Sequence, residues 1–207
     1  MSNKLRTMRI YDGPSEIHNW VVARSLLGTD LDAHALTLVA GDGALNVGLA
    51  RAVAEALPLR SESVDVLCSL DVVEHLDDDV RALREYLRVL RVGGRLVVTV
   101  PAYRWAWSSH DVDLGHRRRY TRPRLEAAAA AAGFEVVSAR YFHAWLVPIA
   151  LLLRKTPLRA LVADKPAESV SMGGPLQNAI GHRLAAIDRR VVLPFGLSIL
   201  LVARRPL

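Results

Sequence analysis

The chain has 207 residues, 51% of them hydrophobic and 23% charged, enough apolar material for one well-buried domain and too little length for two, which excludes a disordered chain. Lys and Arg number 27 against 21 Asp and Glu, a formal charge of +6, with arginines gathered in "GHRRRYTRPR" (115–124) and near the C-terminus. Such clusters suit phosphates, nucleic acid or an anionic membrane face, and equally a solvated face with local ion pairs. The lone Cys68 excludes an intrachain disulfide and points to a reducing, cytoplasmic setting; the first residues lack the apolar core of a secretory signal.

In chain order, "LRTMRIYDGPSEIHNWVVARSLL" (5–27) is expected to form a surface helix. "ARSLLGTDLDAHALTLV" (23–39) reads as a short strand ending in "GTDLD", followed by a helix from Ala33. "NVGLARAVAEALPL" (46–59) reads as a strand running into a loop at Pro58, with a rival reading of 36–57 as strand, glycine turn and helix around Gly41, Gly43 and Gly48.

From residue 64 the alternation is regular. "VDVLCSL" (64–70) is a buried strand, and "DDDVRALREYLRVLRVGG" (77–94) has acids first, apolar residues at helical spacing and glycines last, the signals of a helix. "RLVVTVP" (95–101) is a second buried strand, "RPRLEAAAAAAGF" (122–134) a helix and "FEVVSARYF" (134–142) a strand. This order predicts an α/β fold with a parallel sheet. Beyond it come an apolar region (143–164), a helix over 175–192 and a final strand over 197–205. "AWLVPIALLL" (144–153) contains a proline and is too short for a bilayer core of about 30 Å.

In an open parallel sheet, ligands sit beyond the carboxyl ends of the strands, so Asp30, Asp71, Glu74, His75 and the loop after Pro101 should face one crevice. The block "AEALPLRSESVDVLCSLDVVEHLDDDVRALREYLRVLRVGGRLVVTVPA" resembles the centre of class I S-adenosylmethionine-dependent methyltransferases of the small-molecule branch, with Val92 in place of the usual proline. The resemblance implies a Rossmann-like methyltransferase fold with a mostly parallel sheet, S-adenosylmethionine as cofactor and a small or lipid-like acceptor. It divides the chain into an atypical segment, 1–27, and a methyltransferase-like domain, 28–207, with a cap insertion near 143–192.

By the same resemblance Asp30, with Leu31, would hold the ribose hydroxyls, and Leu70 and Asp71 would lie along the methionine side. Asp30 also reads as a helix N-cap. Glu74 and His75 read as structural or substrate-orienting. In the related enzymes a loop like "SSHDVDLGHRRRYTRPRL" (108–125) lies over the transfer site, which makes His110 and His116 the candidate proton acceptors; a purely structural loop with exposed arginines is the competing reading. No metal ligand set is assigned, nucleic acid is not an expected partner, and no feature sets an oligomeric state.

Two departures qualify the resemblance. The family's first strand and D-x-G-x-G turn are not seen before "GTDLD", so the first strand is expected to be missing or replaced, and Val53 stands where relatives place an aspartate that contacts the adenine. The segment 5–27 instead resembles the C-terminal end of acyl-CoA dehydrogenases through "YDGPSEIH". A non-catalytic remnant of the fold that has lost its cofactor is therefore the alternative to an enzyme. Weak peripheral contact with a membrane, through Trp145 to Leu153 followed by Arg154, Lys155 and Arg159, is a further expectation.

Overall fold

The computed structural model describes residues 7–11, 20–24, 37–38, 48–155 and 193–207. Its strands are β1 (Thr7–Tyr11), β2 (Trp20–Arg24), β3 (Thr37–Leu38), β4 (Gly48–Arg51), β5 (Val64–Leu70), β6 (Leu90–Pro101), β7 (Glu135–Phe142) and β8 (Ser198–Arg204). Helices α1 (Asp79–Val89), α2 (Ser109–Asp113), α3 (Arg122–Ala132) and α4 (Leu146–Lys155) lie between β5 and β8. The strands form one sheet in the order β3-β4-β2-β1-β5-β6-β8-β7.

The Rossmann-like α/β arrangement holds, but its pairing is mixed. β1, β5 and β6 pair in parallel. β8 enters between β6 and β7, antiparallel to both, and β2, β4 and β3 continue the other side with antiparallel pairing, β4 lying between β2 and β3. Local sequence does not specify this, because a buried strand shows no direction in its composition.

Three expectations for the N-terminal third are corrected. The segment expected as a surface helix supplies two strands, and β1 fills the place beside β5, with Thr7 opposite Val66 and Tyr11 opposite Leu70. The runs "TMRIY" and "WVVAR" are rich in β-branched and aromatic residues and flank a stretch with Asp, Gly and Pro, which is hairpin chemistry. Thr37–Leu38, placed by sequence in a helix from Ala33, is a strand, and the rival helix within 36–57 gives way to β4 at Gly48–Arg51. The helix expected over 175–192 lies outside the described residues.

The core forms where the sheet meets α1, on β6, and α3, on β7 and β8. Leu67, Leu96 and Val98 are fully buried against Leu83, Tyr86, Val89, Leu125 and Ala129; each such leucine contributes on the order of 1.5–3 kcal/mol by leaving water. Asp78 caps α1 by accepting from the Arg81 amide at 2.9 Å, and the left-handed Gly133, φ 102°, ends α3. α1 passes straight into β6, which starts at Leu90 rather than at the expected Arg95.

Gly196, just before β8, is fixed by contact rather than by backbone angle. A Cβ there would lie 2.2 Å from the carbonyl oxygen of Phe142, the last residue of β7. Gly196→Ala must therefore push β7 and β8 apart, and a loss of about 1–3 kcal/mol is expected. A thermal melt indistinguishable from that of the parent protein would contradict this close approach.

Candidate functional site

The carboxyl ends of β5, β6 and β7 carry an unusual backbone feature. Each of the three strands is followed within two residues by a non-glycine residue with positive φ: Asp71 (53°), Tyr103 (58°) and His143 (58°). Side chains rarely adopt this conformation, and such residues concentrate at functional sites because the surrounding structure must enforce them. Here the enforcing contacts are visible at two of them. The Asp71 amide donates to the carbonyl of Thr99 at 3.1 Å and lies 3.2 Å from its hydroxyl; the Tyr103 amide donates to the carbonyl of Tyr120 at 2.8 Å.

The loop after β6 is stapled over the loop after β5. The Arg117 amide donates to the Glu74 carbonyl at 2.8 Å. The Arg118 guanidinium donates to the carbonyls of Leu76 and Asp77 and pairs with Asp79 at 3.2 Å. The Tyr120 hydroxyl donates to the Asp79 carboxylate at 2.7 Å, and burial pushes that phenol far above its usual value. Arg118 and Arg119 are thus spent on carboxylates and carbonyls within the fold, so the competing reading of this loop as one with exposed arginines fails for both; Arg117 remains exposed, 3.5 Å from Asp77.

Asp111 is the centre of this loop and is fully buried. Its carboxylate accepts from the Arg119 guanidinium at 2.7 and 3.0 Å, from the Ser108 amide at 2.7 Å and from the Ser108 hydroxyl at 3.1 Å. His116 Nδ1 completes the set at 2.8 Å. Burial works against its charge, but the His116 and Arg119 contacts prevail and hold the carboxyl well below the usual carboxylate range.

Of the residues singled out by sequence, Leu70 ends β5, half-buried, with Asp71 next to it at the crevice. Crowding by protein raises the Asp71 carboxyl above its ordinary value, opposed by the Thr99 hydrogen bond and by the charges of His116, His143 and His75. His116 is brought to this place: its ring meets that of His75 edge to face, with centroids 4.7 Å apart. Glu74, on the single turn Val73–His75, is fully buried. His110 lies on α2, with its side chain outside the described residues, as are Asp30 and Leu31 altogether.

Sequence reasoning missed Asp111, Tyr103, Tyr141 and His143. Tyr103 stacks on Trp105 (centroids 5.6 Å) and on Tyr141 (5.2 Å), forming an aromatic wall beside the crevice. Burial, with Tyr141 beside it, keeps the Tyr103 hydroxyl protonated, its pKa pushed up to about 12. The strand-end rule reaches Tyr103 only as part of the loop after Pro101, and the same rule at the end of "FEVVSARYF" points to His143.

Residues 13–98 match the family model described as a methyltransferase domain, a match that begins inside the N-terminal segment. The chain is 34% identical over 125 residues to a protein of Mycobacterium tuberculosis (strain H37Rv) named as a probable S-adenosylmethionine-dependent methyltransferase, covering 59% of this chain and 45% of that one. It is 38% identical over 98 residues to the malonyl-[acyl-carrier protein] O-methyltransferase of Methylococcus capsulatus, covering 44% and 36%. The chain thus spans less than half the length of these curated relatives. Among solved structures, an S-adenosylmethionine-dependent methyltransferase from Mesorhizobium loti aligns with a TM-score of 0.45 at 16% identity over 74% of this chain and 67% of that one.

Proposed function

The chain being related to class I S-adenosylmethionine-dependent methyltransferases through a methyltransferase domain matched at residues 13–98, we propose that it transfers a methyl group from S-adenosylmethionine to a small or lipid-like acceptor. The observation that carries this reading is the ring of Asp71, Tyr103 and His143, held at positive φ at the carboxyl ends of β5, β6 and β7. It puts ionisable and aromatic side chains where an open α/β sheet binds its ligand.

The described residues suit the cofactor at its methionine end. Asp71 places a carboxyl group there, against a ligand with an ammonium and a sulfonium centre. Leu70 and Asp71 line that end, and Asp30 with Leu31 holds the ribose. When bound, the cofactor supplies an electrophilic methyl group. The protein's part is to orient the acceptor, exclude water and activate the nucleophile. His116, with its ring fixed by Asp111 through Nδ1, is the acceptor-activating residue; His110 is the second candidate.

The aromatic wall bounds the acceptor side, and α4, which follows β7 in the chain, is its proposed cover. One relative is named for O-methylating malonyl-[acyl-carrier protein], in keeping with a small or acyl-bearing acceptor. No helix among the described residues is long and apolar enough to cross a membrane. Leu151 and Leu152 on α4 are exposed ahead of Arg154 and Lys155, which supports weak contact with anionic lipid. Complete recovery in the soluble fraction after flotation with anionic liposomes at low salt removes the membrane part alone.

The alternative, a fold that has lost its cofactor, is favoured by Val53, 60% exposed where the resemblance puts an adenine-contacting aspartate. Transfer of labelled methyl from S-adenosylmethionine to a panel of hydroxyl, carboxyl and amine acceptors, some bearing acyl chains, separates the two. Label in any acceptor supports the enzyme; none in the whole panel, together with no cofactor binding, supports the remnant.

A further inference from the structure

We propose that Glu74, His75 and His116 form a binding site for one divalent transition cation, of the zinc or ferrous kind, at the carboxyl end of β5. One ligand atom from each of the three residues lies within 4.8 Å of the other two. Two imidazoles and one carboxylate, with further positions open, form the donor set that holds catalytic zinc and non-haem iron. Sequence alone suggested nothing of this, because His116 comes from a different loop, 41 residues after His75.

The site is built rather than incidental. Glu74 is fully buried, and its own backbone carbonyl ties the turn Val73–His75 to Arg117, the neighbour of His116. The His75 and His116 rings stand at 80° to each other, so their nitrogens can converge on one point. His116 gives Nδ1 to Asp111 at 2.8 Å, which leaves Nε2 as the ring's other donor atom. A buried carboxylate behind a ligating histidine is the usual outer support of a metal site, because it fixes the tautomer and orients the ring. Asp111 is itself clamped by Arg119 and Ser108, so this support does not swing.

The role of the cation deepens the methyl-transfer reading and rests on it: an acceptor oxygen taking an open position would lose its proton to solvent more readily before its oxygen displaces the sulfonium, and in the cation-bound protein His116 would serve as a ligand and not as the proton acceptor. The cation site itself rests on the geometry alone.

Untagged protein, stripped with chelator, is titrated with cobalt(II) followed by visible absorption, then with zinc(II) as competitor and by calorimetry. The wild type should take up one equivalent of each. His75→Ala and His116→Ala, checked for folding by circular dichroism, should lose saturable binding, and Asp111→Asn should weaken it by about 10–100-fold. His75 is only half-buried, so its variant decides the matter if the others fail to fold. No saturable uptake by the wild type, or uptake by His75→Ala equal to the wild type's, overturns the site. S-adenosylhomocysteine is titrated into the same chelated protein. Its binding without cation binding removes this inference alone, and cation binding without it removes the methyl-transfer reading and leaves the site.

Discussion

Asp111→Ala is expected to cost about 3–5 kcal/mol of folding stability, because it leaves the Arg119 guanidinium buried without its carboxylate. At that size the melting temperature should fall by roughly 2–4 °C per kcal/mol for a chain of this length. The same residue sets an acid limb. Its folded pKa lies below the unfolded value, so its contribution is fully present above the ordinary carboxylate pKa of about 3.9 and is lost as the pH falls through and below that value. Asp111→Asn should flatten this part of the stability profile, measured by urea unfolding across the acid range. A variant as stable as the parent and with the same acid limb would show that the His116–Asp111–Arg119 cluster does not hold the loop.

His116→Ala is expected to lower turnover by about 10²–10⁴-fold with any acceptor the wild type methylates, the range for loss of a positioned proton-transfer group. Arg119 and Ser108 still hold Asp111 in this variant, so the melting temperature should fall by far less than in Asp111→Ala. Affinity for S-adenosylhomocysteine should stay unchanged, since His116 is placed on the acceptor side. Reduced cofactor affinity with normal turnover at saturation would reassign it to cofactor binding.

How much of this was legible in the sequence depended on whether the signal was local. "VDVLCSL" and "RLVVTVP" are long apolar runs next to caps and glycines, and they became β5 and the body of β6. α1 announced itself by Asp78 at its start and by Ala82, Leu83, Tyr86 and Val89 on one face. "TMRIY" carries only the weaker signal of a hairpin with "WVVAR", which does not say which strand lies on its other side. Its five residues become a strand through pairing with Val66 to Leu70, more than fifty residues away, and a short mixed run cannot show that pairing.

The site follows the same division. Asp71 and His116 were legible through the strand-end rule and the motif around "GHRRRY". Asp111 was not, because its partners at 116 and 119 lie on a loop whose path has neither helical nor strand period. Tyr103 and His143 have no glycine to advertise positive φ, and only the folded neighbours impose it. In sequence Glu74 reads as structural or orienting; its full burial beside two histidines appears only when the loops after β5 and β6 are brought together.

Binding of S-adenosylmethionine in the crevice at the ends of β5, β6 and β7 is decided by calorimetric titration of the protein with S-adenosylhomocysteine. Saturable heat with a micromolar dissociation constant is expected, about 8 kcal/mol of binding free energy, weakened about tenfold or more in Asp30→Ala by loss of a charged hydrogen-bond partner. No detectable heat at millimolar ligand would contradict it.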